Sequence, residues 1–88
     1  MAWAIEFDLD AAEEFRKLDR TAQLAIRKYL RERIATDADP RRFGKPLIGD
    51  KAGLWRYRVG DFRLVCRIED ERLVVLVLAV GHRKEVYR

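Results

Sequence analysis

Gly53-Leu54-Trp55-Arg56-Tyr57-Arg58-Val59-Gly60-Asp61-Phe62-Arg63-Leu64-Val65-Cys66-Arg67-Ile68 reads as two alternating runs, rich in aromatic and β-branched residues, joined at Gly60-Asp61. A two-residue loop opening on glycine is a strong short-range signal for a primed turn, and such a turn sets the hairpin register. Val59 should then face Phe62, Arg58 face Arg63, Tyr57 face Leu64, Arg56 face Val65, Trp55 face Cys66 and Leu54 face Arg67. Cross-strand partners share a face, so Trp55, Tyr57, Val59, Phe62, Leu64 and Cys66 form a core-facing side. The other side carries Leu54, Arg56, Arg58, Arg63, Val65 and Arg67.

Like charges directly opposite one another cost a sheet roughly 0.2–1 kcal/mol, so folding alone gives no reason to set Arg58 against Arg63. A solvated surface accounts for any single arginine. Four on one face suit the binding of phosphate oxygens, because guanidinium is permanently charged and can bind phosphate bidentately. The net charge of +4 also favours an anionic partner, while 39% charged residues of both signs describe a mixed surface and not a basic tail.

Working outward, Trp3, Ile5 and Phe7 alternate with Ala4 and Glu6, which predicts a first strand. Asp10 and Glu13 have capping-box spacing ahead of a short helix whose buried stripe is Ala11, Ala12, Phe15 and Leu18. Asp19 or Thr21 should cap a second helix, with Ala22, Ile26, Tyr29, Leu30, Arg33 and Ile34 recurring at helical spacing. Residues 36–52 read as one long connector, broken by Asp39-Pro40 and Gly44-Lys45-Pro46 and anchored by Leu47 and Ile48. Arg41, Arg42, Lys45 and Lys51 make it basic. After the acidic turn Glu69-Asp70-Glu71, the run 73–80 is apolar on both faces and predicts a central strand or one covered on both sides, antiparallel to the preceding one and ending beside Phe62 and Arg63.

The expected architecture is therefore α+β: an N-terminal strand, a two-helix hairpin and a three-stranded antiparallel meander, as one domain over residues 1–88. The lone cysteine, Cys66, cannot form an internal disulfide and falls on the core face. One histidine and one cysteine provide no zinc site, carboxylates do not fall at metal-ligand spacing, and glycine-rich phosphate loops and nucleophile triads are missing. No cofactor or metal is expected. Without a basic n-region and apolar h-region, or an apolar run of membrane-spanning length, the chain reads as cytoplasmic with no membrane partner.

Gly44-Lys45-Pro46-Leu47, the hairpin 53–65, Val80-Gly81-His82-Arg83 and Glu85-Val86-Tyr87, in this order of elements, resemble the RelE/ParE toxin superfamily over nearly the whole chain. Arg83 with Tyr87 points to the RelE-like branch, a microbial-ribonuclease-like fold. The resemblance implies the toxin half of a bacterial toxin–antitoxin pair: a metal-independent endoribonuclease that cuts messenger RNA in the ribosomal A site and so inhibits translation. Its partners would be the ribosome, mRNA and a RelB-like antitoxin. Carried over to this chain, Arg63 and Arg83 match phosphate-stabilising arginines and Tyr87 the catalytic tyrosine, with His82 a further acid or base. Arg56, Arg58, Arg67, Lys45 and Lys51 are candidates for RNA or phosphate binding. Arg56 and Arg58 stand where the family prototype has lysines; arginine, with a pKa above about 12, cannot act as the base. The identity of the general base stays open. Val65, Val74, Leu76 and Leu78 are the expected apolar contacts of an antitoxin segment that combines acidic and apolar residues. The alternatives are a ParE-like inhibitor of DNA gyrase and a non-catalytic binding protein on the same scaffold.

Overall fold

The computed structural model describes residues 1–82. Strand β1 (Ala4–Phe7) leads into helices α1 (Leu9–Arg16) and α2 (Arg20–Tyr29), and α2 runs on into a π-helical turn, Leu30–Ile34. Short 3₁₀ turns at Pro40–Arg42 and Gly49–Lys51 flank β2 (Lys45–Pro46), and β3 (Trp55–Val59), β4 (Phe62–Glu69) and β5 (Val74–His82) follow. The sheet has the order β1-β5-β4-β3-β2, with β1 parallel to β5 and the remaining pairs antiparallel. The α+β fold, the two helices and the meander are those expected from the sequence. β5 lies inside the sheet, as its run apolar on both faces predicted; the parallel pairing of β1 with β5 and the edge strand β2 are the additions.

The hairpin register is as expected from Trp55↔Cys66 through Arg58↔Arg63 to Val59↔Phe62, although the ladder starts at Trp55 and leaves Leu54 outside it. Gly60 lies at φ +59° while Asp61 does not have a positive φ, the pattern of a type II′ turn with glycine first. Between β4 and β5 the pairing shifts from Val65↔Ala79 to Cys66↔Val77, so Leu78 is an inserted residue. This bulge reverses the alternation along β5: Val75 and Val77 face the helices before it, and Val80 does so after it. Trp3, Ala11, Phe15, Ile26, Leu30 and Ile34 close over Tyr57, Leu64, Cys66, Val75, Val77 and Val80.

Two local expectations change. Asp8, not Asp10, caps α1: Asp8 N–H still bonds Val77 O of the sheet (3.0 Å), and its extended backbone aims the carboxylate at Ala11 N–H (2.8 Å). Asp19 caps α2 as anticipated, accepting from Ala22 N–H at 2.7 Å. In the connector, Ile48 is 85% exposed and is no anchor. Pro40 is fully buried, Phe43 packs on the core, and both carbonyls are held from the hairpin, by Tyr57 Oη (2.7 Å) and Trp55 Nε1 (2.7 Å) respectively. Lys45-Pro46 adds an edge strand, a position where proline's missing N–H costs no ladder bond. Gly44 permits this close approach at φ +75°, since a side-chain carbon there would collide with the Arg56 carbonyl.

Candidate nucleic-acid interface

Strand alternation puts the candidate cations on the sheet face turned away from the helices. Arg56 lies opposite Val65 on one side and Lys45 on the other, and Arg58 lies opposite Arg63, so these four cations share that face. Arg58 is exposed, with Nε donating to Gly60 O at 3.4 Å. Arg56 is half-buried, and its Nε has no hydrogen-bond partner among the described residues. Arg63 pairs across to Gly81 of β5, which contributes no side chain to the face at that point.

The two ends of this face differ electrically. At the β4–β5 loop, Glu69 accepts from Arg67 Nε (3.2 Å) and an Arg72 terminal nitrogen (2.7 Å), while Arg72 also reaches Glu6 at 3.0 Å. These bonds hold the Glu69 carboxyl below the usual carboxylate range. Nearby, the Arg41 guanidinium grips both Asp70 oxygens, at 3.1 and 2.7 Å, and lowers the Asp70 pKa likewise. Arg67 is thus matched to a carboxylate. At the Gly60 end, Arg56, Arg58 and Lys45 form no ion pair with any described residue. Lys51 sits in the 3₁₀ turn, off the strand ladder.

His82 is at the same end of the sheet but on the opposite face. It pairs with Phe62, their rings 6.0 Å apart and edge to face, and lines a hollow with Glu14, Lys17 and Leu18. Arg83 and Tyr87 lie outside the described residues. The other tyrosines of the sheet and helix layers are not acid–base groups for this face. Tyr57 donates its hydroxyl to Pro40 O, and burial pushes its pKa well up; burial likewise raises Tyr29 and the Cys66 thiol. Among the described residues, no three His, Cys, Asp or Glu side chains group as metal ligands, and no helix is long and apolar enough to cross a membrane. Val65 and Val74, two of the four positions expected to receive an antitoxin segment, are already buried at 5% exposure each.

Several residues that shape the site carried no motif. Gln23 donates from α2 to the carbonyls of Phe15 and Leu18 (3.1 and 3.0 Å), locking the end of α1. Glu14 reaches from α1 to the Val80 N–H at 2.8 Å. The one available hint was the acidic turn at 69–71, whose carboxylates select which arginines are neutralised.

A family model described as the ParE toxin of type II toxin–antitoxin systems (parDE) matches residues 5–87. The chain is 33% identical over 88 residues to Toxin RelG of Mycobacterium tuberculosis, covering 100% of this chain and 99% of that one. To the mRNA interferase toxin RelE of Escherichia coli it is 36% identical over 90 residues, covering 99% and 92% respectively. Among solved structures, the RelBE2 toxin–antitoxin complex of Mycobacterium tuberculosis contains a chain that matches with TM-score 0.84 at 30% identity, covering 97% of this chain and 95% of that one.

Proposed function

The chain belongs to the ParE toxin family of type II toxin–antitoxin systems, and from that premise we propose that it is a RelE-like, ribosome-dependent endoribonuclease that cuts messenger RNA without a metal. The observation that carries this reading is the set of cations at the Gly60 end of the sheet: Arg58 directly across from Arg63, with Arg56 and Lys45 on the same face and Gly81 beside Arg63. Such an arrangement works against folding and suits a phosphodiester.

The ribose 2′-oxygen attacks the adjacent phosphorus, the 5′-oxygen departs, and a 2′,3′-cyclic phosphate remains. Arg63 and Arg83 stabilise the charge that builds on the phosphorane oxygens, a role for which fixed cations are effective. Arg56, Arg58 and Lys45 hold the flanking phosphates. Tyr87 is the side chain we assign to proton transfer. His82, on the far face of the sheet beside Phe62, is the weaker choice for the same task. A RelB-like antitoxin is the partner that restrains the toxin, its acidic residues complementing the arginine face.

Incubating ribosome-programmed messenger RNA with the protein and mapping the ends tests the proposal. Breaks within the A-site codon that carry 2′,3′-cyclic phosphate are expected. Intact RNA together with stalled, cleaved DNA–gyrase complexes would instead favour gyrase inhibition, the reading that the ParE description of the family model keeps in view.

A further inference from the structure

We propose that Glu14 is a positioning residue for the cleavage assigned above: by holding the Val80 N–H it fixes the end of β5 that pairs with Arg63 through Gly81. The inference rests on the ribonuclease reading, and its first half can be tested without it.

Strand β1 accompanies β5 only from Val74 to Val77, and the last contact on that side is Asp8 N–H to Val77 O. The chain then turns away into α1, so among the described residues the stretch from Leu78 to His82 keeps β4 as its one neighbouring strand. This is also the stretch that begins with the Leu78 bulge, where the ladder is locally disrupted. A strand segment with a single neighbour and a bulge at its base is free to fray unless its remaining backbone donors find acceptors.

Glu14 is the acceptor supplied. Its Oε1 lies 2.8 Å from Val80 N, bridging 66 positions of sequence, and a charged acceptor makes this a strong class of hydrogen bond. The helix that carries it is tied at both ends, by the Asp8 cap at the start and by Gln23 on the Phe15 and Leu18 carbonyls at the finish. Among the described residues Glu14 forms no ion pair, and its carboxylate accepts from the Val80 N–H. Val80 itself is 3% exposed, Gly81 follows beside Arg63, and Arg83 is three residues on from Val80. Lateral drift of this strand end would shift Gly81 against its partner Arg63, and small misplacements at a reacting centre carry large rate penalties.

The test uses the full chain with Glu14→Ala and Glu14→Gln, the latter keeping an oxygen acceptor without charge. Three quantities are read: amide hydrogen exchange at Val80, ribosome affinity, and single-turnover cleavage of ribosome-bound messenger RNA. For Glu14→Ala we expect Val80 to exchange at least about tenfold faster while Val75 and Ile26 stay protected, and cleavage to slow by about tenfold with affinity within about twofold. Glu14→Gln should restore both exchange and rate. Unchanged protection of Val80 in Glu14→Ala, a Gln variant as impaired as Ala, or an affinity loss as large as the rate loss would each overturn the proposal. If the wild-type protein leaves messenger RNA uncut, the ribonuclease reading and the catalytic half of this inference fall together, and the exchange arm alone decides whether Glu14 anchors the strand.

Discussion

Arg58 and Gly44 represent the two ways a single residue matters in this protein. Arg58 is exposed and outside the core, so Arg58→Ala should leave the fold intact. It should weaken ribosome or RNA binding and lower the slope of log affinity against log salt by about one, measured by titration at several salt concentrations. Tyr87→Phe, which keeps the ring, should leave binding within about twofold and slow cleavage by roughly 10²–10⁴-fold, whereas His82→Gln should change the rate little. Wild-type-like cutting by Tyr87→Phe would move proton transfer to another group. Gly44 acts on folding instead. Its φ of +75° and the proximity of the Arg56 carbonyl leave no room for a side chain, so Gly44→Ala should lose about 3 kcal/mol in urea unfolding, from left-handed strain and overpacking together.

At the scale of the element, helix α1 begins where the sheet releases the chain. Asp8 satisfies the Ala11 N–H, while Asp10 is already inside the first turn. Asp8→Ala should therefore cost about 1 kcal/mol of stability, and Asp10→Ala less than about 0.5 kcal/mol, by denaturant titration. Equal losses, or a larger loss at Asp10, would return the cap to Asp10. The same element carries Glu14, so α1 links the start of the fold to the end of its central strand. The hairpin β3–β4 behaves differently: its turn and register are specified locally, by Gly60 at positive φ and by the alternation of its own residues.

Across the whole molecule, charge is sorted along the open sheet face. Carboxylates from β1, β4 and the β4–β5 loop neutralise Arg67, Arg72 and Arg41, while toward the Gly60 end Arg56, Arg58 and Lys45 meet no carboxylate among the described residues. Glu69 and Asp70 have folded-state pKa values lowered by hydrogen bonds from Arg72 and Arg67, and from Arg41. The unfolded chain then binds more protons than the folded one as pH falls into the carboxylate range. The stability these pairs contribute is present above the unfolded values, about 4.3 for Glu and 3.9 for Asp, and is lost as pH drops through the lower folded ones. Asp70 is exposed and Glu69 half-buried beside solvent-facing arginines, so the effect is modest. Unfolding titrations of wild type and of Glu69→Gln/Asp70→Asn should show the variant less stable at pH 6 and the difference shrinking toward pH 3. A difference independent of pH would mean that the pairs contribute through packing and not through charge.

The hairpin, its register, the two-face division and, apart from the exposed Arg33, the core stripes of both helices were legible in residues 3–68, because each follows from local periodicity and one glycine turn. The cationic face was legible for the same reason: side chains alternate along a strand whatever lies beyond it. Other features depend on which residues meet across the fold. The parallel pairing of β1 with β5, the short edge strand at Lys45-Pro46 and the burial of Pro40 arise from contacts between distant segments, which leave no periodic trace. The Leu78 bulge reverses a side-chain alternation that a run apolar on both faces cannot reveal, and with it His82 joins the Phe62 face. Which arginines stay cationic was likewise undecided in the sequence, since Glu6, Glu69 and Asp70 choose their partners by distance in space.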